Sequence, residues 1–177
     1  MNLSKIHITG NQATPFHSLS YLSIDESGKV EQAELPFIKL FVNYLPDGLD
    51  AIVACADLQG RWKDGSLIGC IAAEELEILS QMGELPAAGK TGVILCGDFF
   101  AREDLDRRGG TGNVADVWRS FAKRFRWCIG VAGNHDIFSA MPDEKAFERF
   151  KNEEGIDFLD ASCIEKDQLK ICGISGI

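Results

Sequence analysis

Three short apolar runs, each breaking off at an acidic or amide residue, constrain this chain more than any other feature. Ala51-Ile52-Val53-Ala54-Cys55-Ala56 stops at Asp57-Leu58-Gln59-Gly60-Arg61. Thr91-Gly92-Val93-Ile94-Leu95-Cys96 stops at Gly97-Asp98-Phe99-Phe100, and Cys128-Ile129-Gly130-Val131-Ala132 at Gly133-Asn134-His135-Asp136. Continuous apolar runs of this length, closed by turn residues, read as strands buried on both faces. The gaps from Asp57 to Asp98 and from Asp98 to Asn134 each accommodate a strand–helix–strand unit, which takes roughly 30 residues or more. Residues 67–83 supply strong helix formers in Ala-Ala-Glu-Glu-Leu-Glu-Ile-Leu. Residues 114–125 space Val117, Trp118, Phe121 and Phe125 on one helical face. Right-handed crossovers set parallel strands side by side with their C-terminal ends on one edge. Ligands bind at that edge in open α/β sheets, so Asp57, Asp98 and Asn134 are predicted to converge.

Gly133-Asn134-His135-Asp136 offers an amide oxygen, an imidazole and a carboxylate within one turn, groups that suit a metal ion beside a phosphate ester. An ordinary strand-end turn is the alternative, because Gly, Asn and Asp are turn residues in any case.

Together, Asp57-x-Gln59-Gly60, Gly97-Asp98 and Gly133-Asn134-His135-Asp136 resemble the motifs of the calcineurin-like metallophosphoesterase superfamily. Its pattern is Asp-x-His, Gly-Asp-x-x-Asp/Asn and Gly-Asn-His-Asp/Glu, each at a strand end. The resemblance covers about residues 50–177. It implies an α/β fold with a β-sheet sandwich core flanked by helices, a four-layer αββα arrangement. It also implies hydrolysis of phosphate mono- or diesters at two divalent ions (Mn, Fe, Zn or Mg) about 3.5–4 Å apart. By the same resemblance Asp98 bridges the ions, Asp57 binds the first and Asn134 the second. His135 lies beside the scissile phosphate, and Asp136 orients its imidazole.

Several positions depart from that pattern. Gln59 replaces a histidine; an amide oxygen is a harder, weaker donor that favours Mg or Mn and reaches the site directly or through water. The chain has only three histidines, His7, His17 and His135. The family's downstream histidines therefore have no counterpart. His7 reads as a strand position alternating with Ile6 and Ile8, and His17 as a loop or strand-start residue. Ala101 stands where an Asp or Asn is usual. Asp106-Arg107-Arg108-Gly109 is similar to the phosphate-contacting Asp-Arg-Gly string of the protein-phosphatase branch. It reads equally as a solvated mixed-charge loop. The apolar ending Ile171-Cys172-Gly173-Ile174-Ser175-Gly176-Ile177 predicts a domain truncated at its C-terminus, with a terminal edge strand of a shortened domain as the alternative.

At 177 residues the chain reads as a single domain, residues 1–177, with a leading β segment over 1–49 and the motif-bearing core over 50–177. In the leading segment Lys5 to Thr9 reads as a strand. Ser18–Ile24 and Lys29–Leu35 read as a hairpin around Asp25-Glu26-Ser27-Gly28. Pro142-Asp143-Glu144-Lys145 reads as the start of a third helix, with Ala146, Phe147 and Phe150 on its apolar side. Thr111 or Asn113 reads as the cap of the second. A net charge of −9 argues against a general nucleic-acid surface or an anionic membrane. No apolar run approaches a membrane span. Six cysteines without a Cys-x-x-Cys read as free, mostly buried thiols in a cytoplasmic protein. Two rival functions stay open: a catalytically incomplete metal- or phosphate-binding module of the same fold, and a protein Ser/Thr phosphatase-like enzyme.

Overall fold

The computed structural model describes residues 6–25, 27–105, 110–139 and 143–176. Lys5, Glu26, Pro142 and Ile177, which the sequence draws into its first strand, hairpin turn, third helix and terminal segment, lie outside them. The protein is mixed α/β. The leading segment contains strands β1 (Ile8–Asn11), β2 (His17–Ile24), β3 (Val30–Phe37) and β4 (Leu40–Val42). The core then runs β5 (Ala51–Cys55), α1 (Ile68–Gln81), β6 (Thr91–Leu95), β7 (Gly112–Asn113), α2 (Ala115–Arg124), β8 (Trp127–Gly130) and β9 (Asp136–Ile137). It closes with α3 (Glu144–Lys151), β10 (Ile156–Phe158), β11 (Ser162–Lys166) and β12 (Leu169–Gly173).

The three apolar runs form β5, β6 and β8, parallel neighbours in a four-stranded sheet of order β10-β8-β6-β5. Strands consecutive in this sheet are also adjacent in space, so each crossover steps the same way and the helices collect on one face. There Ile68, Ala72 and Leu76 of α1, Val117, Trp118 and Phe121 of α2 and Phe150 of α3 pack with Val93, Leu95, Cys128 and Ile156. Glycine makes one contact possible: a Cβ on Gly69 would lie 2.6 Å from Val117 Cγ1. Side chains alternate across a strand, so Ile52, Ile94, Trp127, Ile129 and Val131 face the other way. They meet the antiparallel hairpin β11–β12 through Ile164, Leu169 and Ile171. This second face is only partly covered, and Ala54 and Cys96 are exposed.

The leading hairpin forms as its sequence predicts, β2 pairing β3 from His17↔Phe37 to Ile24↔Val30. Among the described residues β3 pairs only with β2, and Pro36 is tolerated in such an edge strand. The hairpin lies against α1 and the loop after β5: His17 Nε2 is 2.8 Å from Glu75 Oε1, and Leu22 bridges Arg61. His7 precedes β1 and is exposed. Asp143 caps α3 by accepting the Lys145 N–H, and Asn113 Oδ1 accepts the Ala115 N–H at the start of α2. Both arginines of α2 are engaged in ion pairs, Arg119 with Asp116 and Glu153, and Arg124 with Glu74 and Glu77.

The cysteines correct one sequence expectation. Cys163 and Cys172 face each other across β11–β12 and form a disulfide, so the six are not all free. Of the remaining four only Cys128 is fully buried, while Cys55 and Cys70 are half-buried. Burial pushes the Cys55 thiol up to about 12 and the Cys128 thiol higher still. No helix among the described residues is long and apolar enough to cross a membrane.

Candidate functional site

Past their last paired residues the three core strands turn at the same edge. Register fixes their order, with Cys55 opposite Leu95 and Leu95 opposite Gly130. The ladder continues a little further: Cys96 N–H donates to Cys55 O at 2.8 Å, Asp57 N–H to Gly97 O at 3.1 Å and Val131 N–H to Leu95 O at 2.9 Å. Asp57 and Asp98 then both adopt left-handed backbone, with φ of 53° and 61°. Asp tolerates that region better than most residues, and such conformations cluster where a side chain must be aimed out of a regular element. Asp57 is exposed and Asp98 half-buried.

The second and third motifs touch directly. Asp98 Oδ1 accepts the His135 N–H at 3.3 Å. A Cβ on Gly133 would lie 2.1 Å from Asp98 Oδ1, and one on Gly97, whose φ is +88°, would lie 2.5 Å from Gly133 N. Both motif glycines thus stand where two backbones and a carboxylate need the space of a side chain. Gln59 is half-buried and Asn134 is exposed at the same edge.

Asp136 does not hold the imidazole, the role that the resemblance implies for it. Its carboxylate is 2% exposed. It accepts backbone N–H groups from Phe99 (2.8 Å), Asp98 (2.9 Å) and Gly133 (3.1 Å). Burial raises the affinity of this carboxyl for its proton, and the three donors work against that shift. His135 instead places Nδ1 2.9 Å from the Gly110 carbonyl. As an N–H donor to that oxygen, Nδ1 leaves Nε2 as the free ring nitrogen. The peptide carrying Gly110 is held by the short parallel pair β7–β9, where Gly112 N–H donates to His135 O at 3.1 Å. Phe138, just beyond the motif, is buried among Trp118, Phe147, Phe150 and Phe158 and anchors this turn to the core.

Arg61, inside the first motif string, has a role that sequence reasoning missed. Its guanidinium donates to Ala101 O (2.6 and 3.0 Å), to Arg102 O (2.9 Å) and to Gly65 O, fastening the loop after β5 to the loop after β6. An arginine two residues before a lysine–aspartate turn carries no sequence signal for such a staple. Arg107 and Arg108, with Asp106 and Gly109, lie outside the described residues.

Asp57, Asp98, Asn134 and Gln59 bring two carboxylates and two amide oxygens to one edge, hard donors of the kind that Mg and Mn take. Among the described residues no group of three or more His, Cys, Asp or Glu side chains gathers closely enough to hold a metal ion. Comparison with protein-family models, with curated proteins and with solved structures finds no match for this chain.

Proposed function

We propose that this protein is a metal-dependent phosphoesterase working at the strand-end edge of Asp57, Asp98, Asn134 and His135. The observation that carries the reading is the paired left-handed turn of Asp57 and Asp98 on adjacent parallel strands, with Asp98 locked against Gly133 and His135. A bound divalent ion supplies Lewis acidity to a phosphoryl oxygen and lowers the pKa of a water. The chain's own contributions are to hold that ion through Asp57, Asp98 and Asn134, with Gln59 in support, and to present His135. With Nδ1 tied to Gly110 O, Nε2 is the ring nitrogen that meets the phosphate and its leaving oxygen. Asp136 keeps the Asp98 turn in place. A second divalent ion, as the family resemblance implies, needs donors beyond these four. The four-layer sandwich belongs to the same reading, with the half-covered sheet face bearing Ala54 and Cys96 as the place where a second sheet would stack. So does a cytoplasmic location.

Hydrolysis of p-nitrophenyl phosphate and bis(p-nitrophenyl) phosphate with Mn²⁺ tests this. Turnover in the native chain that is abolished in Asp98→Asn and His135→Ala supports the proposal; turnover unchanged in both variants refutes it. A second reading, a binding module without turnover, is favoured by Gln59, an amide where the family pattern places an imidazole. It predicts Asp98-dependent Mn²⁺ binding with no hydrolysis of either ester. A protein-phosphatase activity rests on the Arg107–Arg108 string alone.

A further inference from the structure

We propose that Cys163 and Cys172 form a thiol–disulfide exchange site whose redox state reaches the third motif through Ser175 and Gly176. Both sulfurs belong to exposed residues, and a shallow depression of about 550 Å³ beside them is lined by Ala161, Ser162, Gly173 and Ile174. A thiolate can therefore approach, which is the first requirement for exchange. Among the described residues the hairpin they staple pairs with no other strand, and it is held to the sheet by side-chain packing of Ile164, Leu169 and Ile171.

The two ends of this hairpin are held differently. At its tip Asp167 accepts N–H groups from Arg126 and Trp127 Nε1 at 2.6–2.8 Å. At its open end the disulfide sits one residue from Gly173, which packs so closely that a Cβ would lie 2.5 Å from Val131 Cγ1. The chain then runs along the third motif. Ser175 Oγ accepts the Ala132 N–H at 3.3 Å and donates to Leu159 O at 3.0 Å, and Gly176 N–H donates to Ala132 O at 3.0 Å. Gly176 lies beside the Asn134 amide. Opening the disulfide removes the covalent tie at the end that abuts Val131 and Asn134 and leaves the tip anchored.

The reductant class is a dithiol. One thiolate attacks a cysteine sulfur, the S–S bond breaks, and the other cysteine leaves as a thiolate. The second thiolate of the dithiol then resolves the mixed disulfide. Two electrons pass from dithiol to protein, the two cysteine thiolates take up protons, and the dithiol becomes a cyclic disulfide.

The experiment is residue-resolved amide hydrogen exchange by NMR on the native chain before and after dithiothreitol, with peptide mapping of alkylated cysteines. The expected result is reduction of Cys163–Cys172 without denaturant and roughly tenfold faster exchange at Ala132 and Gly176. Val131, bonded to Leu95 within the sheet, should keep its rate. Cys163→Ser/Cys172→Ser should show the fast rates without dithiol; if that variant does not fold, the reduced native chain decides. A bridge that opens only in denaturant, unchanged rates at Ala132 and Gly176, or an equal rise at every amide would each overturn the proposal. The readout does not depend on metal or turnover, so its failure is separate from failure of the phosphoesterase reading.

Discussion

The Asp136 carboxylate accepts the backbone N–H of Asp98 at 2.9 Å, a partly buried bond between the third motif and the second. It ties the residue expected to carry the chemistry to one that never reaches solvent. With Phe99 and Gly133 as further donors, one side chain sets the turn that aims Asp98 outward.

Asp136→Asn therefore tests structure before activity. An amide in this position turns an NH₂ group toward a backbone N–H, leaving a buried donor without an acceptor. We expect a loss of about 2 kcal/mol, or roughly 4–8 °C in Tm for a domain of this size. Thermal melts followed by circular dichroism check it, and a native Tm in the variant would show that the carboxylate is not the clamp.

The close approach of the motif glycines gives a paired test. Gly97→Ala places a Cβ on Gly133 backbone, whereas Gly65→Ala has the same left-handed φ (+89°) but open space. Gly65→Ala should cost about 1 kcal/mol from backbone conformation alone. Gly97→Ala should add about 1–3 kcal/mol from the forced shift. Equal losses in urea titrations would mean that the two turns do not pack as described.

The hairpin tip predicts an acid transition. Hydrogen bonding from Arg126, and then from Trp127, lowers the Asp167 carboxyl to about 2. A folded-state value below the unfolded one of about 3.9 stabilises the protein above that pH, and the stabilisation is lost as pH falls toward 2. Relative to the native chain, Asp167→Asn should be less stable at neutral pH by on the order of 1–2 kcal/mol. That gap should close between pH of about 4 and 2. Paired chemical denaturation across this range reads it, and a pH-independent gap contradicts the assignment.

Much of the core is legible in the sequence. Apolar runs at 51–56, 91–96 and 128–132 become β5, β6 and β8, because these parallel strands carry no polar face to confuse the pattern, even though β5 is only partly buried. The helices of residues 67–83 and 114–125 and the hairpin at 18–35 follow from spacing and turn chemistry. The β11–β12 hairpin was hidden for a local reason. Its turn is Asp167-Gln168 at φ of 46° and 63°, where glycine or asparagine would ordinarily signal the reversal. The partner of Cys172 was hidden with it. The job of Asp136 was illegible for another reason: it depends on Gly97 meeting Gly133 across strands far apart in sequence. The Arg61 staple likewise arises only when two loops meet.

In the proposed site Asp98, aimed by its left-handed turn, holds a divalent ion with Asp57 and Asn134. Asp98→Asn is the appropriate variant, because asparagine tolerates the same backbone and keeps an oxygen for the His135 N–H. Calorimetric titration of Mn²⁺ into the native chain and into Asp98→Asn is the most direct test. Saturable binding to the native chain is expected, with its loss in a variant that remains folded. No binding to the native chain, or equal binding to both, would contradict it.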